Sequence, residues 1–337
     1  MPTVSVIMPT RNAGSFLAKA VDSIVRQTLS DLELLIVDDG STDGALDDLI
    51  SKGCDARIRV FRNPRNLGIG ASYAFAIPLC ESPWIALMDS DDIAHPMRLK
   101  FQLEALAADP SLDAVATAME FIDSEDRVTG HYKSFHTPEE IRAYSIAVMP
   151  VPHPTLMGRS EMFRKISYRS EIPVAQDYDM VLRALDRGYK IGSISLPLYK
   201  YRRHSASTFQ TKRRAHVIAS CAFQICSARR RSGLPEQFED AAITAAAMIA
   251  RSDEPSTVLR RYARDCHRQG FVNLAVVNSA LSLRYGPSPI ALAFLVRYLA
   301  VAALRDRGSR RPLAVGAIKG AIGALLRQAD GSNTGNE

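Results

Sequence analysis

The sequence predicts an α/β fold, in which a mostly parallel sheet is flanked by helices and followed by a helical C-terminal region. Over the first half of the chain, short apolar segments alternate with segments of helical periodicity, which is typical of βαβ units. From about Thr208 strand-like segments become rare, and Ala, Arg and Leu dominate to about Arg327. We therefore expect an α/β domain over residues 1–207, a helical region over 208–327 and a disordered polar tail over 328–337.

Five apolar segments of strand length predict the sheet. They share a high content of Val, Ile and Leu and are bounded by turn-forming residues. In chain order they are "VSVIM" (4–8), "LELLIVDD" (32–39), "RIRVF" (57–61), "PWIALMD" (83–89) and "LDAVATAMEFID" (112–123).

The segments between these strands predict helices. "SFLAKAVDSIVRQT" (15–28) repeats apolar residues at helical spacing, and a helix-like segment follows "GSTDG". We also expect helices in "GASYAFAIPLC" (70–80) and "PMRLKFQLEALAAD" (96–109). The stretch from about 137 to 204 mixes helical and extended patterns.

Composition narrows the class of protein. The chain has 337 residues, of which 47% are hydrophobic, so it can bury a sizeable core. A net charge of +6 is too modest to indicate nucleic-acid binding, although it favours an acidic ligand or an anionic membrane surface. Five cysteines without a C-x-x-C pair predict neither a disulfide framework nor a zinc site, as expected of a reducing cytosol. The N-terminal residues predict a first strand rather than a signal peptide.

One apolar stretch near the C-terminus has two interpretations. "IALAFLVRYLAVAAL" (290–304) is interrupted by Arg297 and is shorter than a membrane-spanning helix requires. It is either a buried core helix or a helix lying on a membrane surface. The basic "LRDRGSRR" that follows favours peripheral contact with an anionic bilayer.

Acidic residues follow the fourth predicted strand in "MDSDD", where Asp89, Asp91 and Asp92 occur within four positions. If the segment is extended, Asp89 and Asp91 point the same way and can hold a hard cation with phosphate oxygens. The alternative is a turn and helix cap, which aspartate also favours.

Polar residues follow the other predicted strands as well. Asp39 in "VDDGSTDG" can accept a hydrogen bond from the ring N–H of a base, and Thr10 in "MPTRN" offers a hydroxyl. Gly68 belongs to "NLGIGAS", a glycine loop before a helix, which suits an anion. In open α/β sheets, ligands bind outside the carboxyl ends of the strands. These groups should therefore line one crevice, although each is also compatible with an ordinary βα turn.

Taken in order, "VSVIMPTRN", "LIVDDGSTD", "RNLGIGAS" and "LMDSDD" resemble family 2 glycosyltransferases of the Rossmann-like GT-A fold. The resemblance covers about residues 3–205. It continues in "VPHPTLMGR", which resembles the acceptor-side segment, and in "AQDYDMVLRAL", which resembles the helix that carries the general base. "YRRHSAST" resembles the segment with a metal- or phosphate-contacting histidine.

The resemblance implies roles for particular residues. It makes Asp177 the general base and assigns a metal, Mg²⁺ or Mn²⁺, to Asp91 and His204. The remaining contacts, to the base, ribose and phosphates of a nucleotide-sugar, fall to Pro9, Thr10, Arg11, Asp39, Asn66, Gly68, Asp89 and Asp92. Which two of the three acids between 89 and 92 bind metal stays open.

The chain departs from the family pattern at three places. Arg11 stands where an aromatic residue is frequent, and Ser72–Tyr73 replaces a frequent Arg–Asn pair. Gln176 replaces the Glu before the base. One contact to the diphosphate should then come from elsewhere, with Arg65 and Arg203 as candidates.

The resemblance implies an inverting glycosyltransferase that moves a sugar from a nucleotide-sugar, UDP-linked by expectation, to a hydroxyl of a glycan or lipid-linked acceptor. Its setting would be cell-surface polysaccharide synthesis in the cytoplasm, on the inner face of the membrane. Two alternatives remain. One is a nucleotide-sugar-binding protein without activity. The other is a sugar-phosphate nucleotidyltransferase, for which "PTRNAGSF" is a poor phosphate loop.

Overall fold

The first two strands are buried along their whole length, because helices cover both faces of the sheet that they form. In a computed structural model the described residues are 1–132, 137–145, 149–203, 213–236 and the single positions 260, 263 and 264. Contacts divide the chain into two compact units, one of Met1–Ile141 with Pro150–Arg213, the other of Arg142–Met149 with Arg214–Glu337.

Within the described residues the first unit contains nine strands. Their bounds are β1 Val4–Thr10, β2 Leu32–Asp38, β3 Ile58–Arg62, β4 Trp84–Leu87, β5 Ile93–Ala94, β6 Ala114–Ile122, β7 Val128–Tyr132, β8 Met157–Arg159 and β9 Ile191–Arg202. The sheet has the order β3-β2-β1-β4-β8-β6-β9-β5, and β7 pairs with β6. From β3 to β4 all neighbours are parallel, as are β6 and β9, while β8, β5 and β7 pair antiparallel.

Most of the described helices lie between these strands, and the last one follows β9. They are α1 Phe16–Val25, α2 Ala45–Ser51, α3 Ile69–Ala76, α4 Arg98–Ala108, α5 Pro138–Tyr144, α6 Ser160–Ile166, α7 Gln176–Asp186 and α8 Arg213–Arg231. Short 3₁₀ turns occupy Ile77–Leu79 and His153–Thr155. The α/β fold is confirmed, and all five predicted strands and all four predicted helices are present with bounds shifted by a few residues.

Alternation along β1 explains the two-sided core. Val4, Val6 and Met8 belong to one apolar cluster with α1 and α4. Ser5 and Ile7 point to the opposite face, since successive residues of a strand alternate, and α3 also packs on β1. Strands buried on both faces are expected to be nearly continuous apolar runs, and the polar exceptions here, Ser5 and Glu33, are hydrogen-bonded to each other.

Some predictions were wrong or lie outside the described residues. The acids from 89 to 92 are not extended, because Ser90 and Asp91 form a turn that leads into the two-residue strand β5. Of the predicted helical region, α8 is described. The segments 290–304 and 328–337 lie outside the described residues. Among the residues that the structure describes, no helix is both long and apolar enough to cross a membrane.

Candidate active site

The carboxyl ends of β1, β2 and β4 bring the predicted polar residues to one edge of the sheet. Thr10 is paired with Asp38 across β1 and β2, and Ile7 is paired with Leu87 across β1 and β4. The acids that follow β4 therefore begin beside Pro9, which is itself buried in β1. The hydroxyl oxygen of Thr10 is buried without a hydrogen-bond partner among the described residues.

The loops after β1 and β2 are joined by hydrogen bonds. The backbone N–H of Asn12 donates to Ser41 Oγ at 3.0 Å, and the N–H of Thr42 donates to Asn12 Oδ1 at 2.8 Å. Gly14 N–H donates to Asp43 Oδ2 at 2.8 Å. Arg11 directly precedes Asn12 in this loop and is exposed.

Asp39 holds the glycine loop in place. Its carboxylate accepts from the N–H groups of Leu67 at 2.7 Å and Gly68 at 2.8 Å, and from Asn63 Nδ2 at 2.9 Å. Asn66 is exposed, and its Oδ1 also accepts from Gly68 at 3.1 Å. Asp39, the predicted contact to the base, thus already accepts hydrogen bonds from three donors of the protein. It therefore holds the glycine loop in place, in addition to any contact with a ligand.

The loop requires glycine at two positions. Gly68 has φ +95° and ψ 154°, a region that is essentially restricted to glycine. Gly40 has φ +72°, and a Cβ there would lie 3.0 Å from the backbone of Arg65 and Asn66. The turn after β2 and the loop before α3 therefore form one close-packed rim.

The acidic turn, Asp89–Asp92, is fastened to β9. The N–H of Asp89 donates to the Tyr199 hydroxyl at 3.1 Å. The N–H of Arg202 donates to Asp92 Oδ1 at 2.6 Å, and Arg202 Nε donates to the carbonyl of Asp91 at 2.7 Å. Asp92 is almost fully buried, whereas Asp89 and Asp91 are partly exposed. Asp92 therefore fixes the turn to the sheet.

The acids of the turn share one electrostatic environment with the predicted base. Burial, followed by the charges of Asp91 and Asp177, raises the pKa of Asp89 to about 7. Burial, followed by Asp91 and Asp89, holds the pKa of Asp92 well above its ordinary value. Residues almost ninety positions apart in sequence therefore lie close enough for their charges to interact.

A buried arginine lies beneath the turn. Arg98 is fully buried and donates to the carbonyls of Leu87 at 2.8 Å and Pro154 at 3.0 Å. Its guanidinium lies 5.0 Å from the ring centroid of Tyr199, and burial lowers its pKa to about 10. Arg98 ties the end of β4 to the His153–Thr155 turn. The helical pattern of α4 does not distinguish Arg98 from an ordinary helix residue, so the sequence did not predict this role.

Three buried rings form an aromatic cluster, Tyr73–His153–Tyr168, next to the acids. The Tyr73 and Tyr168 rings stack at 4.7 Å, and His153 meets both edge-on at 5.5 and 5.7 Å. Burial raises the pKa of both phenols, and the charges of Asp89 and Asp177 add to the effect. Burial lowers the pKa of His153, which the Asp177 carboxylate opposes. The sequence analysis missed this cluster, because its members are distant in sequence.

The first turn of α7 carries two acids in different surroundings. Asp177 is partly exposed, while Asp179 is buried and pairs with Arg183 at 2.7 Å and with Arg169 at 3.7 Å. Ala175 precedes the helix in the left-handed region, at φ +55°. Asp177 can therefore meet a ligand, whereas Asp179 has a structural ion pair.

The other predicted metal residue, His204, lies outside the described residues. Within the part of the chain that is described, no three His, Cys, Asp or Glu side chains are grouped as a metal site by themselves. Two carboxylates of the acidic turn, Asp89 and Asp91, remain candidates that would need further ligands from a substrate.

Comparison with known proteins decides the family. The sequence model "Glycosyl transferase family 2" matches residues 5–167. EpsE of Bacillus subtilis, named as a glycosyltransferase, is 32% identical over 270 residues, which cover 77% of this chain and 93% of that protein. An uncharacterized glycosyltransferase of Methanocaldococcus jannaschii is 32% identical over 205 residues, 60% of this chain and 71% of that one. The chain belongs to glycosyl transferase family 2.

Further relatives of this family 2 glycosyltransferase include polysaccharide synthases. Chondroitin synthase of Escherichia coli is 31% identical over 189 residues, which are 56% of this chain but only 27% of that larger protein. The match therefore concerns one region of the synthase.

Solved structures support the GT-A fold of this family 2 glycosyltransferase. Staphylococcus aureus TarS 1-349, in complex with UDP-GlcNAc, superposes with a TM-score of 0.60 at 16% identity, covering 92% of this chain and 93% of that one. The mannosyltransferase PcManGT of Pyrobaculum calidifontis, in complex with GDP-Man and Mn²⁺, gives 0.52 at 18% identity, covering 98% and 88%. At these identities the likeness shows the fold alone.

Proposed function

We propose that this glycosyltransferase moves a sugar from a UDP-linked donor to a hydroxyl of a glycan or lipid-linked acceptor, with inversion, during cell-surface polysaccharide synthesis. The observation that carries the proposal is the meeting of Asp177 with the acidic turn at the carboxyl edge of the sheet. A leaving-group site and a base on opposite sides of one sugar are what a single displacement requires.

The nucleotide would lie along the ends of β1 and β2. The Thr10 hydroxyl, which has no hydrogen-bond partner in the described part of the chain, would face the base together with Pro9 and Asp39, and exposed Arg11 and Asn66 would flank it. Backbone N–H groups at the start of α3, after Gly68, would favour a nearby phosphate. The UDP-GlcNAc bound by TarS supports a uridine nucleotide as the first candidate.

The acidic turn suits a divalent cation, Mg²⁺ or Mn²⁺. Asp89 and Asp91 are hard oxygen donors, and such ions are commonly held by one or two carboxylates together with substrate phosphates. Burial, followed by the charges of Asp91 and Asp177, raises the pKa of Asp89, and a bound cation would offset both the lost hydration and the repulsion between these carboxylates. When bound, the ion would neutralise charge that develops on the diphosphate leaving group. His204 stays a predicted additional ligand, and PcManGT, which binds Mn²⁺, supports the assignment.

Asp177 would act on the acceptor. Its carboxylate would take the proton of the attacking hydroxyl as that oxygen approaches the anomeric carbon. The aromatic cluster beside it is neutral, so it supplies shape and phenol groups without a competing positive charge. Gln176, which replaces the frequent Glu, lies against Gly70 of α3, where an added Cβ would stand 3.3 Å from its Cγ, so α7 and α3 approach closely here.

The acceptor and the location of the enzyme are proposed from its relatives. Similarity to chondroitin synthase supports a glycan acceptor. We propose that the enzyme acts in the cytoplasm, on the inner face of the membrane. The apolar and basic stretch after residue 289, outside the described residues, would make peripheral contact with the membrane.

Donor binding and hydrolysis test the proposal. A panel of UDP- and GDP-sugars, with and without Mn²⁺, should include at least one that raises the unfolding midpoint, because a bound ligand stabilises the native state. The same donor should release nucleoside diphosphate slowly. Binding without release, even in extracts rich in acceptor, would favour the inactive binding protein. Release of pyrophosphate from a nucleotide triphosphate and a sugar phosphate would favour the nucleotidyltransferase.

A further inference from the structure

Arg98 carries a buried charge without an acidic partner. Its side chain is fully buried on α4, and among the residues that the structure describes it forms no ion pair. Burial lowers its pKa to about 10, so the guanidinium stays charged at neutral pH. A buried charge is costly unless hydrogen bonds compensate for its lost hydration. The partners of the guanidinium therefore indicate why an arginine stands here.

One set of contacts holds the chain that leads into the acidic turn. Nη2 of Arg98 donates to the carbonyl of Leu87, the last residue of β4, at 2.8 Å. Nη1 lies 3.6 Å from the sulfur of Met88. The guanidinium carbon lies 5.0 Å from the ring centroid of Tyr199, whose hydroxyl accepts from the N–H of Asp89 at 3.1 Å. Arg98 thus contacts two successive residues directly and the third through Tyr199.

A second set of contacts fixes Arg98 itself. The same Nη2 donates to the carbonyl of Pro154 at 3.0 Å, and Nε donates to Gln102 Oε1 at 3.1 Å. Gln102 is also buried, and it donates to the carbonyls of Thr155 at 2.8 Å and Val115 at 3.0 Å. Both side chains belong to α4 and lie one turn apart. One face of α4 therefore joins β4, β6 and the 3₁₀ turn of Pro154.

The acidic turn is held at both of its ends. At the far end the N–H of Arg202 donates to Asp92 Oδ1 at 2.6 Å. At the near end Arg98 fixes the residues that precede Asp89. Between these points Asp89 and Asp91 are partly exposed, and like charges at this spacing repel each other. A shared cation requires such carboxylates at a fixed distance, which the two attachments provide.

We infer that Arg98 is a positioning residue, which holds the acidic turn in the geometry that receives a divalent cation and the diphosphate of the donor. The inference rests on the proposed function, since that function supplies both groups. Arg98 is buried, so it acts through the backbone of β4 and through Tyr199 rather than by touching a substrate.

The place and the charge of Arg98 have opposite effects on a cation. By Coulomb's law, removal of a nearby positive charge would strengthen the binding of Mn²⁺. Displacement of the turn would weaken it, because the carboxylates would leave the positions that the ion requires. The sign of the change in Mn²⁺-dependent binding therefore separates positioning from simple electrostatics.

Arg98→Met tests the inference, with Leu106→Ala as its control. Methionine keeps a long side chain in the buried space but cannot donate to the two carbonyls. Leu106 is buried in the apolar cluster about 12 Å further along α4, so its truncation loosens the helix at the end away from the turn. Calorimetry, well below each unfolding midpoint, would measure the binding of UDP in Mn²⁺ and in EDTA, and the binding of uridine.

We expect Arg98→Met to reduce the gain in UDP affinity from Mn²⁺ about tenfold or more, since charge-assisted hydrogen bonds are lost, and to spare uridine. Arg98→Lys keeps the charge on a shorter side chain and should lose a smaller part of the gain. It also replaces Arg98→Met in the test if that variant does not fold. Leu106→Ala should keep the wild-type gain.

An unchanged or larger gain from Mn²⁺ in the Arg98 variant that folds would overturn the inference, and so would an equal fall in Leu106→Ala. A wild-type enzyme that binds no UDP would contradict the proposed function instead. Titration of Mn²⁺ alone, followed by electron paramagnetic resonance, would then compare the same variants. Equal affinities of wild type and Arg98 variant for Mn²⁺ would show that Arg98 does not position the turn.

Discussion

The Nε2 atom of His153 lies 2.6 Å from the hydroxyl oxygen of Tyr168, and both side chains are buried beside the acidic site. Because burial keeps the imidazole neutral, one ring nitrogen accepts and the other donates, and the tautomer decides which partner donates in this bond. The pair joins the turn after β7 and α5 to the segment that leads into α7. It therefore connects the acceptor-side segment with the helix of Asp177.

Tyr168→Phe should lower both stability and turnover. The change keeps the ring stack with Tyr73 but leaves a buried nitrogen of His153 without its partner, which costs about 1–3 kcal/mol. Chemical denaturation would measure the loss, and turnover should fall more than donor affinity. Tyr189→Phe, at a partly exposed site beyond α7, is the control. Equal unfolding midpoints for the two variants would show that the pair contributes nothing.

Asp177→Asn should leave donor affinity nearly intact and cut transfer by about 10²–10⁴-fold, because it removes the proposed base. Calorimetry with the donor and turnover with the acceptor would separate the two effects. A variant that transfers within a few-fold of wild type would remove Asp177 from the mechanism.

Asp179→Asn is the matched change two residues later, and its effect should fall on stability. It leaves Arg183 buried without its 2.7 Å partner, and breaking a buried pair in this way costs about 3–5 kcal/mol. We expect a lower unfolding midpoint and, in the folded fraction, turnover closer to wild type than that of Asp177→Asn. An unchanged midpoint would show that the ion pair does not stabilise α7.

Asp91→Asn should abolish the Mn²⁺-dependent part of UDP binding, since the turn would lose one of its two partly exposed carboxylates. Calorimetry in Mn²⁺ and in EDTA gives the difference directly. Asp47→Asn, on the exposed α2, controls for loss of a negative charge. If Asp91→Asn keeps the wild-type difference between Mn²⁺ and EDTA, Asp91 is not a ligand.

The metal-free enzyme should lose stability as pH rises from about 4 to about 7. The folded-state pKa of Asp89 is raised from 3.8 to about 7, so in this range the folded state binds a proton that the unfolded state has lost. The stabilisation is complete below pH 4 and is lost as pH passes through 7. Unfolding midpoints in EDTA at several pH values, compared with Asp89→Asn, would measure this contribution. Parallel curves for the two proteins would contradict it.

Gly40→Ala should destabilise the protein more than Gly44→Ala. Both glycines have φ near +72°, so alanine costs about 1–2 kcal/mol at either position. Only at Gly40 would the new Cβ also meet backbone, 3.0 Å from Arg65 and Asn66, whereas nothing lies within 4 Å at Gly44. Gly40→Ala should also weaken donor binding, because it displaces the rim that Asp39 holds. Equal losses of stability in the two variants would show that the backbone of Arg65 and Asn66 moves away from the new Cβ at little cost in free energy.

Much of the fold was predictable because it is encoded locally. The apolar runs that became β1, β2, β3, β4 and β6 are long enough to show their pattern, and so are the helices between them. The two residues of β5 are too few to carry any periodicity. That strand exists because it pairs with β9, about a hundred residues later.

The candidate site likewise has residues whose place the sequence predicts and residues whose place it does not. Asp39 stands directly after β2 and Gly68 directly before α3, both of which the sequence predicts, so their place at the carboxyl edge followed from chain order. Residues two apart on a helix point to different sides, and in α7 Asp177 is partly exposed whereas Asp179 is paired to Arg183.

By itself, the sequence determined the alternation of strands and helices, the acids at the strand ends and the resemblance to a glycosyltransferase family. Only the tertiary structure decided which of these acids are fastened to the fold, as Asp92 is to Arg202, and that Asp177 meets the turn. It also decided that Arg98 and the aromatic cluster are buried beneath the site. The physical reason is that hydrogen bonds and charges act through space. One hydrogen bond can join residues about 110 positions apart, and no local periodicity records that approach.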